Sequence, residues 1–409
     1  MREIEAGVCA PRGFRAGGIW CGIKEGSRKR DLALIYSEKP CTAAALFTAN
    51  RVQAAPVLIS RKHLAGGILR AVIANSGNAN ACTGEPGLAA ARRMAELAAG
   101  EFAINPREVA VASTGVIGVP LPIAAIESSV SSLADSLRSD AAGHEAALEA
   151  IMTTDTRKKG GALEFELEGD GSLRIGAMAK GSGMIHPNLA TMLCFITTDA
   201  AISRELLDQA LRRAAGRSFN RVTVDGDTST NDTVIIMANG EAGNAPIEAE
   251  GPAYARFAEA LEALCVKLAR AMARDGEGAT RLMTVDLKGA RDEESAEILA
   301  KAVASSSLVK AACFGADANW GRVLCALGYA GVDFDPAAVA VRFASAAGEI
   351  TVCKAGLPVP FSEEEAKRIL SQDEIEIRVD LAGGGPGAAT VWGCDLSYDY
   401  VKINGDYRS

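Results

Sequence analysis

Short apolar runs alternate with longer amphipathic segments along the whole chain. The runs that predict buried strands, because they are dense in Val, Ile, Leu and Ala, are 32–36, 43–47, 71–74, 109–113, 163–168, 173–179 and 234–237. Apolar positions with helical spacing predict helices over about 87–102, 121–138, 144–152, 202–215 and 252–273. Strict alternation over 397–403 predicts a final strand.

The connections between these segments indicate the fold class. Gly169–Ser172 predicts a hairpin turn between two strands, whereas long helices join others. Hairpins mixed with long helices predict an α+β fold, a layered α/β sandwich of mixed sheets with helices, and fit a regular parallel βαβ repeat less well. The polar segments 75–80 and 222–233 are expected to be loops.

Composition narrows the class of protein. The 409 residues are enough for a large core and two domains or lobes, and 48% hydrophobic with 23% charged residues is ordinary for a soluble globular protein. A net charge of -8 without a long basic run disfavours nucleic acid and anionic membranes as partners. The ten cysteines form no CxxC pair, and no signal peptide or membrane span is visible. We therefore expect a cytoplasmic protein.

Few residues offer metal or cofactor chemistry. The three histidines, His63, His144 and His186, are too few for a His-rich metal site. The acidic loop that begins at Asp225 does not match an EF-hand. No dinucleotide or P-loop fingerprint is present. We expect no metal and no cofactor.

The segment 180–199 carries the strongest chemical signal. A loop with Gly and Pro runs into an apolar strand, and Thr191 is the first hydroxyl residue at that junction. A cut of the Ala190–Thr191 bond would give Thr191 a free α-amine beside its hydroxyl, and such an amine can act as the general base for the oxygen nucleophile. The alternative is an ordinary loop-to-strand junction, where Thr is common.

Other segments supply candidate partners for this nucleophile. Thr114 and Gly115 follow a buried strand, and amides at a helix entrance there would stabilise an oxyanion. Lys180 is a candidate for binding a carboxylate, and Glu277, near the end of a long helix, for binding an ammonium group. The alternatives are a strand-to-helix turn, a solvated lysine and a surface carboxylate. Asn404 and Ser409 lie in the terminal segment.

Together these motifs resemble the ornithine acetyltransferase family of arginine biosynthesis from end to end. The segments that carry the resemblance are 113–118, 152–155, 180–193, 225–232, 274–279 and 404–409. The one difference noted is Leu189, where Met is frequent in that family.

The resemblance implies a precursor that cleaves itself between Ala190 and Thr191 into an α chain, 1–190, and a β chain, 191–409. It implies Thr191 as the nucleophile, with an oxyanion hole at Thr114 and Gly115. The positions that match the family's substrate-binding residues are Thr154, Lys180, Thr191, Glu277, Asn404 and Ser409, with Thr153 as an alternative to Thr154.

The implied reaction moves the acetyl group of N2-acetylornithine to glutamate through an acetyl-Thr191 intermediate. The resemblance also implies an assembly of two α and two β chains and, in some members, acetyl-CoA as a further acetyl donor. Two alternatives remain open from the residues. One is an amidase or aminopeptidase with the same N-terminal nucleophile, and the other is a binding protein without enzymatic activity.

Overall fold

The computed structural model describes residues 1–24, 26–167, 169, 171–186 and 192–406. Within these residues, one sheet is built from the strands β1 (Arg2–Ile4), β2 (Phe14–Ile19), β3 (Leu32–Phe47), β4 (Ile68–Asn78), β5 (Val109–Val116), β6 (Lys159–Leu167), β7 (Gly171–Lys180), β8 (Leu193–Thr198) and β9 (Thr233–Ala238). The strand order is β1-β6-β7-β8-β9-β3-β4-β5, with β2 paired to β3. The associated helices are α1 (Ala55–His63), α2 (Gly84–Glu101), α3 (Ile123–Glu127), α4 (Val130–Asp135), α5 (Ala141–Ile151), α6 (Arg204–Gly216) and α7 (Pro252–Arg274).

The long strand β3 divides this sheet into two layers. Its first part pairs with β4 and its last part with β9, and the register shifts between Tyr36 and Cys41. Ile35 and Val72 of one layer pack in the same core cluster as Phe195 and Ile235 of the other. The two layers therefore face each other across a shared apolar interior.

Helices cover both outer faces. Alternate residues of β8 separate the two sides, because Phe195 faces the other layer while Ile196 packs with α6 and α7. On the opposite outer face, Leu34 packs against α2. Strands buried on both faces read as continuous apolar runs, which is why the sequence located them.

A second sheet follows in the chain. Its strands are β10 (Leu282–Ala290), β11 (Ala340–Ser345), β12 (Gly348–Lys354), β13 (Leu357–Pro358), β14 (Glu374–Asp380) and β15 (Gly387–Cys394), and the helices are α8 (Glu293–Ser305), α9 (Ser307–Phe314), α10 (Trp320–Gly328), α11 (Glu363–Leu370) and α12 (Tyr398–Asp406). Its order in the described residues is β13-β12-β11-β14-β10-β15. One face packs on helices α8 to α11, and the other is polar.

The structure confirms the layered mixed fold and the hairpin between β6 and β7. The predicted strand over 397–403 is wrong, because these residues lie largely in helix α12. Tyr400 and Ile403 are half-buried on one helical face, a spacing that the alternation pattern concealed. The single helix predicted over 121–138 is broken into α3 and α4. The predicted loop at 75–80 is partly strand, since β4 continues to Asn78 beside β5.

The division into chains 1–190 and 191–409 stays a prediction. Residues 190 and 191 lie outside the described residues, between β7 and β8. These strands are antiparallel neighbours, with Lys180 opposite Leu193, so both predicted chains contribute to one sheet. In the described part of the chain, no helix combines the length and apolarity needed to cross a bilayer.

Candidate active site

The predicted site residues that the structure describes lie close together where the two layers of the first sheet meet. Lys180, the last residue of β7, donates from Nζ to Thr114 Oγ1 of β5 at 3.2 Å. Lys180 is only 3% exposed and Thr114 is 5% exposed. Burial lowers the pKa of Lys180, and the Asp155 carboxylate opposes that shift. The interpretation of Lys180 as a solvated lysine is therefore wrong.

Gly115 is a position that only glycine can occupy. Its φ is +135°, and a Cβ there would lie 2.3 Å from the carbonyl carbon of Gly77 on β4. The expected helix entrance is absent at this point of the described chain, because α3 begins only at Ile123. Donors at Thr114 and Gly115 would therefore be local strand-end groups without the support of a helix dipole.

We expect Gly115→Ala to lower kcat by about 10²–10³-fold, the usual loss when an oxyanion donor is displaced. The added methyl must push β5 away from β4. Gly118→Ala is the matched control, because Gly118 also has a positive φ, +80°, but a Cβ there would meet no other atom within 4 Å. The control should lose only about 1–2 kcal/mol of stability. Both kcat and the melting temperature should be measured for the two variants. Equal kcat values would contradict the assignment of Gly115 as an oxyanion donor.

The loop that follows Lys180 is held by its backbone and by one hydroxyl. Gly181 N donates to Asp155 Oδ1 at 2.8 Å, and the hydroxyls of Thr154 and Ser182 are 2.7 Å apart. Thr153 instead lines a cavity of about 590 Å³ together with Lys24 and Asp155, and no hydrogen bond joins its hydroxyl to the described part of the loop. This placement favours Thr154 over Thr153 as the residue near the site.

The far end of the same loop is anchored by Asp225. Its carboxylate accepts hydrogen bonds from Met184 N at 2.6 Å and Ile185 N at 2.9 Å. Burial raises the pKa of Asp225, and these backbone donors oppose the shift. The acidic loop considered as a cation site thus acts as a backbone anchor. Among the described residues, no group of three or more His, Cys, Asp or Glu is placed to hold a metal ion.

A buried ionic cluster supports this loop from below. Lys159 Nζ lies 2.7 Å from Asp155 Oδ1 and also contacts Asp275. Burial by itself would raise the pKa of Asp155, but the Lys180 and Lys159 charges hold it at about 2. Sequence reasoning missed Lys159 and Asp275. The available signal was a lysine at the start of an apolar strand, a position where an unpaired charge is costly.

Glu277 reaches the loop from the segment after α7. Its backbone N donates to Ser182 O at 2.8 Å, and its Oε2 accepts from Asn404 Nδ2 of α12 at 2.8 Å. A Cβ on Gly183 would lie 2.4 Å from the Glu277 carboxyl carbon, so the loop and this carboxylate are in close approach. Helix α12 therefore brings Asn404 to Glu277, although the sequence predicted a strand there.

Three predicted site residues, Ala190, Thr191 and Ser409, lie outside the described residues, as does Leu189. On the C-terminal side of that gap, Met192 N donates to Asp232 Oδ1 at 3.1 Å. On the other side, His186 lies 3.3 Å from Thr223 Oγ1 through Nδ1.

A cavity of about 840 Å³ is lined by residues of β3, α1 and α6, including Arg61 and Arg204. None of the predicted site residues that the structure describes lines it. A cavity of about 440 Å³ lies beside the segment that carries Glu277, and Asp275, Gly278 and Lys402 are among its lining residues.

Comparison with known proteins agrees with the motifs. The ArgJ family model matches residues 15–409. The arginine biosynthesis bifunctional protein ArgJ of Symbiobacterium thermophilum is 53% identical over 410 residues, which cover 100% of both chains. A protein named ArgJ 1 of Clostridium acetobutylicum is 50% identical over 97% of this chain and 96% of its own length. The crystal structure of argJ from Bacillus halodurans is 46% identical with a TM-score of 0.50, and the match covers 52% of this chain and 98% of that chain.

Proposed function

The chain belongs to the ArgJ family, and from that premise we propose that it transfers the acetyl group of N2-acetylornithine to glutamate through an acetyl-Thr191 intermediate. The resemblance to the ornithine acetyltransferases, indicated by the motifs, is confirmed by this membership. The chain is accordingly an enzyme of arginine biosynthesis.

One observation carries the proposal. Residues from β5, β7 and the segment after α7 meet around the loop that leads to Thr191, with the buried Lys180–Thr114 hydrogen bond on one side and Glu277 on the other. A hydroxyl nucleophile entering this region would have a buried cation and strand-end donors beside it. Those groups suit a reaction that develops negative charge on a carbonyl oxygen.

The first stage is self-cleavage. The Thr191 hydroxyl attacks the carbonyl carbon of Ala190, the amide nitrogen leaves as the α-amine of Thr191, and water hydrolyses the resulting ester. The Bacillus halodurans chain supports this stage, because 52% of the present chain matches 98% of it. That solved chain is therefore about half as long as this one, as a cut near the middle would produce.

The second stage is acetyl transfer. The Thr191 amine takes the hydroxyl proton, the oxygen attacks the acetyl carbonyl, and ornithine leaves with that proton on its α-amine. The α-amine of glutamate then attacks the acetyl ester and releases Thr191. We assign binding of the substrate α-carboxylate to Lys180, and binding of the ornithine side-chain ammonium to Glu277 with Asn404 beside it. Thr154 and Ser409 complete the proposed substrate contacts.

We expect Glu277→Gln to raise the KM for acetylornithine at least about tenfold, because a charge-assisted contact to the ornithine ammonium is worth about 1.5–3 kcal/mol. The KM for glutamate, which carries no side-chain ammonium, should change less. Glu262→Gln is the control, since this half-buried carboxylate lies on α7 and pairs with Arg213. Steady-state kinetics with both substrates test the assignment, and equal KM changes for both would remove Glu277 from ornithine recognition.

The product distinguishes this reaction from the hydrolase alternative. Acetylornithine and glutamate should give ornithine and N-acetylglutamate in equal amounts, whereas an amidase would release acetate without requiring glutamate.

The relatives' name describes a bifunctional protein, so we extend the proposal to acetyl-CoA as a second donor. Release of free CoA that depends on glutamate tests that extension. An assembly of two α and two β chains and a cytoplasmic location belong to the same proposal.

A further inference from the structure

The cavity of about 590 Å³ that Thr153 lines carries an excess of positive charge, and we call it the basic cavity. Its volume is in the usual range for sites that bind small ligands. Its charged lining residues are the cations Lys24, Arg28, Lys29, Arg30 and Lys158 and the carboxylates Glu149 and Asp155. The whole chain has a net charge of -8, so this local surplus of cations is opposite in sign to the protein.

Both carboxylates of the basic cavity are already paired. Glu149 contacts Arg30 and lies 2.6 Å from Lys158. Asp155 Oδ1 lies 2.7 Å from the ammonium of Lys159, which belongs to the buried ionic cluster. Neither carboxylate is therefore free to neutralise the remaining cations of the lining.

No ion pair among the described residues involves those remaining cations, Lys24, Arg28 and Lys29. Arg28 and Lys29 are exposed, whereas Lys24 is half-buried. Lys24 Nζ donates to Arg30 O at 2.9 Å and to Met152 O at 2.8 Å. An ammonium group has three N–H donors, so these two contacts leave one donor for a ligand. Three unpaired cations around one cavity favour a ligand with several negative charges.

The loop that carries Lys24 is held in a fixed shape by Asp31. This buried carboxylate accepts hydrogen bonds from the backbone N–H groups of residues 21–24 at 2.6 to 3.1 Å. Burial lowers the pKa of Lys24 to about 8; the Asp31 carboxylate opposes this shift, and the charges of Lys29 and Lys180 add to it. The cations of the basic cavity thus repel one another, and a bound anion would relieve that repulsion.

The basic cavity also has apolar lining, supplied by Trp20 and Met152. Trp20 is 48% exposed, which is unusual for so large an apolar side chain. An aromatic face stacks on nucleotide bases and does so with little preference among them. Trp20 therefore places a base-binding surface in the same cavity as the unpaired cations.

Two contacts place the basic cavity next to the candidate active site. Asp155 lines the cavity and accepts a hydrogen bond from Gly181 N at 2.8 Å. Lys24 packs on β4, since a Cβ on Gly77 would lie 2.9 Å from Lys24 Cγ, and Gly77 is paired with Gly115 of β5. A ligand bound to Lys24 is thus one strand away from the predicted oxyanion donors.

We propose that the basic cavity binds the phosphorylated adenosine end of coenzyme A, with Lys24, Arg28 and Lys29 on the phosphates and Trp20 on the adenine ring. Acetyl-CoA carries its phosphates and base at one end of a flexible arm and its thioester at the other. Its phosphate site is therefore expected beside the catalytic groups and not among them. The inference rests on the proposed use of acetyl-CoA as a second donor.

The acyl step with this donor balances without any further reactant. The oxygen of the nucleophilic hydroxyl bonds to the acetyl carbon, and the carbon–sulfur bond breaks. The sulfur leaves as a thiol with the proton of that hydroxyl. Residues of the basic cavity form no covalent bond in this step, since they hold the other end of the donor.

Isothermal titration calorimetry with coenzyme A tests the site in wild type, Arg28→Ser/Lys29→Ser and Lys367→Ser/Arg368→Ser. The last variant is the matched control, because it removes the same charge from two exposed neighbours on α11. Loss of two charge-assisted phosphate contacts should weaken binding at least about tenfold, whereas the control should bind as wild type does. No binding to wild type, equal affinity in all three proteins, or an equal loss in both variants overturns the proposal.

Inorganic pyrophosphate and variants of Trp20 distinguish a nucleotide site from a general anion site. Pyrophosphate should bind wild type at least about tenfold more weakly than coenzyme A, because it has no base to stack. Trp20→Ser should weaken binding of coenzyme A, and Trp20→Phe, which keeps an aromatic ring, should retain most of the affinity. Pyrophosphate that binds as tightly as coenzyme A, or wild-type affinity in Trp20→Ser, refutes the assignment.

Steady-state kinetics separate failure of this site from failure of the proposed function. In Arg28→Ser/Lys29→Ser the KM for acetyl-CoA should rise at least about tenfold, while the KM for acetylornithine, which carries no phosphate, should not change. An equal rise in both KM values overturns the proposal. Wild-type protein that transfers no acetyl group from acetylornithine would refute the proposed function instead, and the calorimetric comparison, which needs no turnover, would still decide the binding site.

Discussion

Thr191→Ala should yield a single polypeptide of 42.4 kDa with no measurable acetyl transfer. The substitution removes the nucleophilic hydroxyl of the proposed mechanism, so Ala190 cannot be attacked and the acetyl ester cannot form. Wild-type protein should instead separate on a denaturing gel into fragments that correspond to 1–190 and 191–409. Intact mass spectrometry would locate the cut.

Thr191→Ser is the control for this experiment, because it retains a hydroxyl and, after a cut, an α-amine. It should still be cleaved and should retain part of the transfer activity. Two fragments from Thr191→Ala would refute self-cleavage at this residue. An uncut but fully active alanine variant would refute the covalent intermediate as well.

Lys159→Met should lower the free energy of unfolding by about 3–5 kcal/mol, the usual cost of removing one partner from a buried ionic cluster. The substitution leaves the buried Asp155 and Asp275 carboxylates without the ammonium that both contact. Because Asp155 also binds Gly181 N, transfer activity should fall together with stability. Urea unfolding followed by circular dichroism measures the first effect.

The pH dependence of this loss follows from the pKa of Asp155, which lies below its ordinary value in the folded protein. A depressed pKa stabilises the fold above the ordinary aspartate pKa, and that contribution is lost as the pH falls toward about 2. The difference between wild type and Lys159→Met should therefore narrow as the pH is lowered from 7 toward 3.

Lys158→Met is the matched control for Lys159→Met. Lys158 is exposed and pairs with Glu145 and Glu149 at the surface, so its loss should cost no more than about 1 kcal/mol. If the two substitutions lowered the free energy of unfolding equally, the contribution of Lys159 to stability would not come from its contacts in the buried ionic cluster.

The local pattern of the sequence was sufficient to predict most strands, and it singled out the motif around Thr191, whose role stays a prediction. The runs at 109–113 and 234–237 became β5 and β9 because strands buried on both faces carry apolar side chains at every position. The hairpin at Gly169 was predictable because its turn residues are adjacent in the chain. The strand predicted from the alternation over 397–403 is wrong because the residues that pack on the protein, Tyr400 and Ile403, are spaced as on one face of a helix.

The sequence by itself determined which segments form most of the buried strands, and it predicted which residues are candidates for the chemistry, because short-range spacing, residue type and family motifs express those properties. Only the tertiary structure decided that β3 bends into two layers, that Lys180 is buried against Thr114, and that Asp232 lies beside Met192. These relations join residues far apart in the chain. They depend on packing and on the partners available to buried charges, which no local pattern contains.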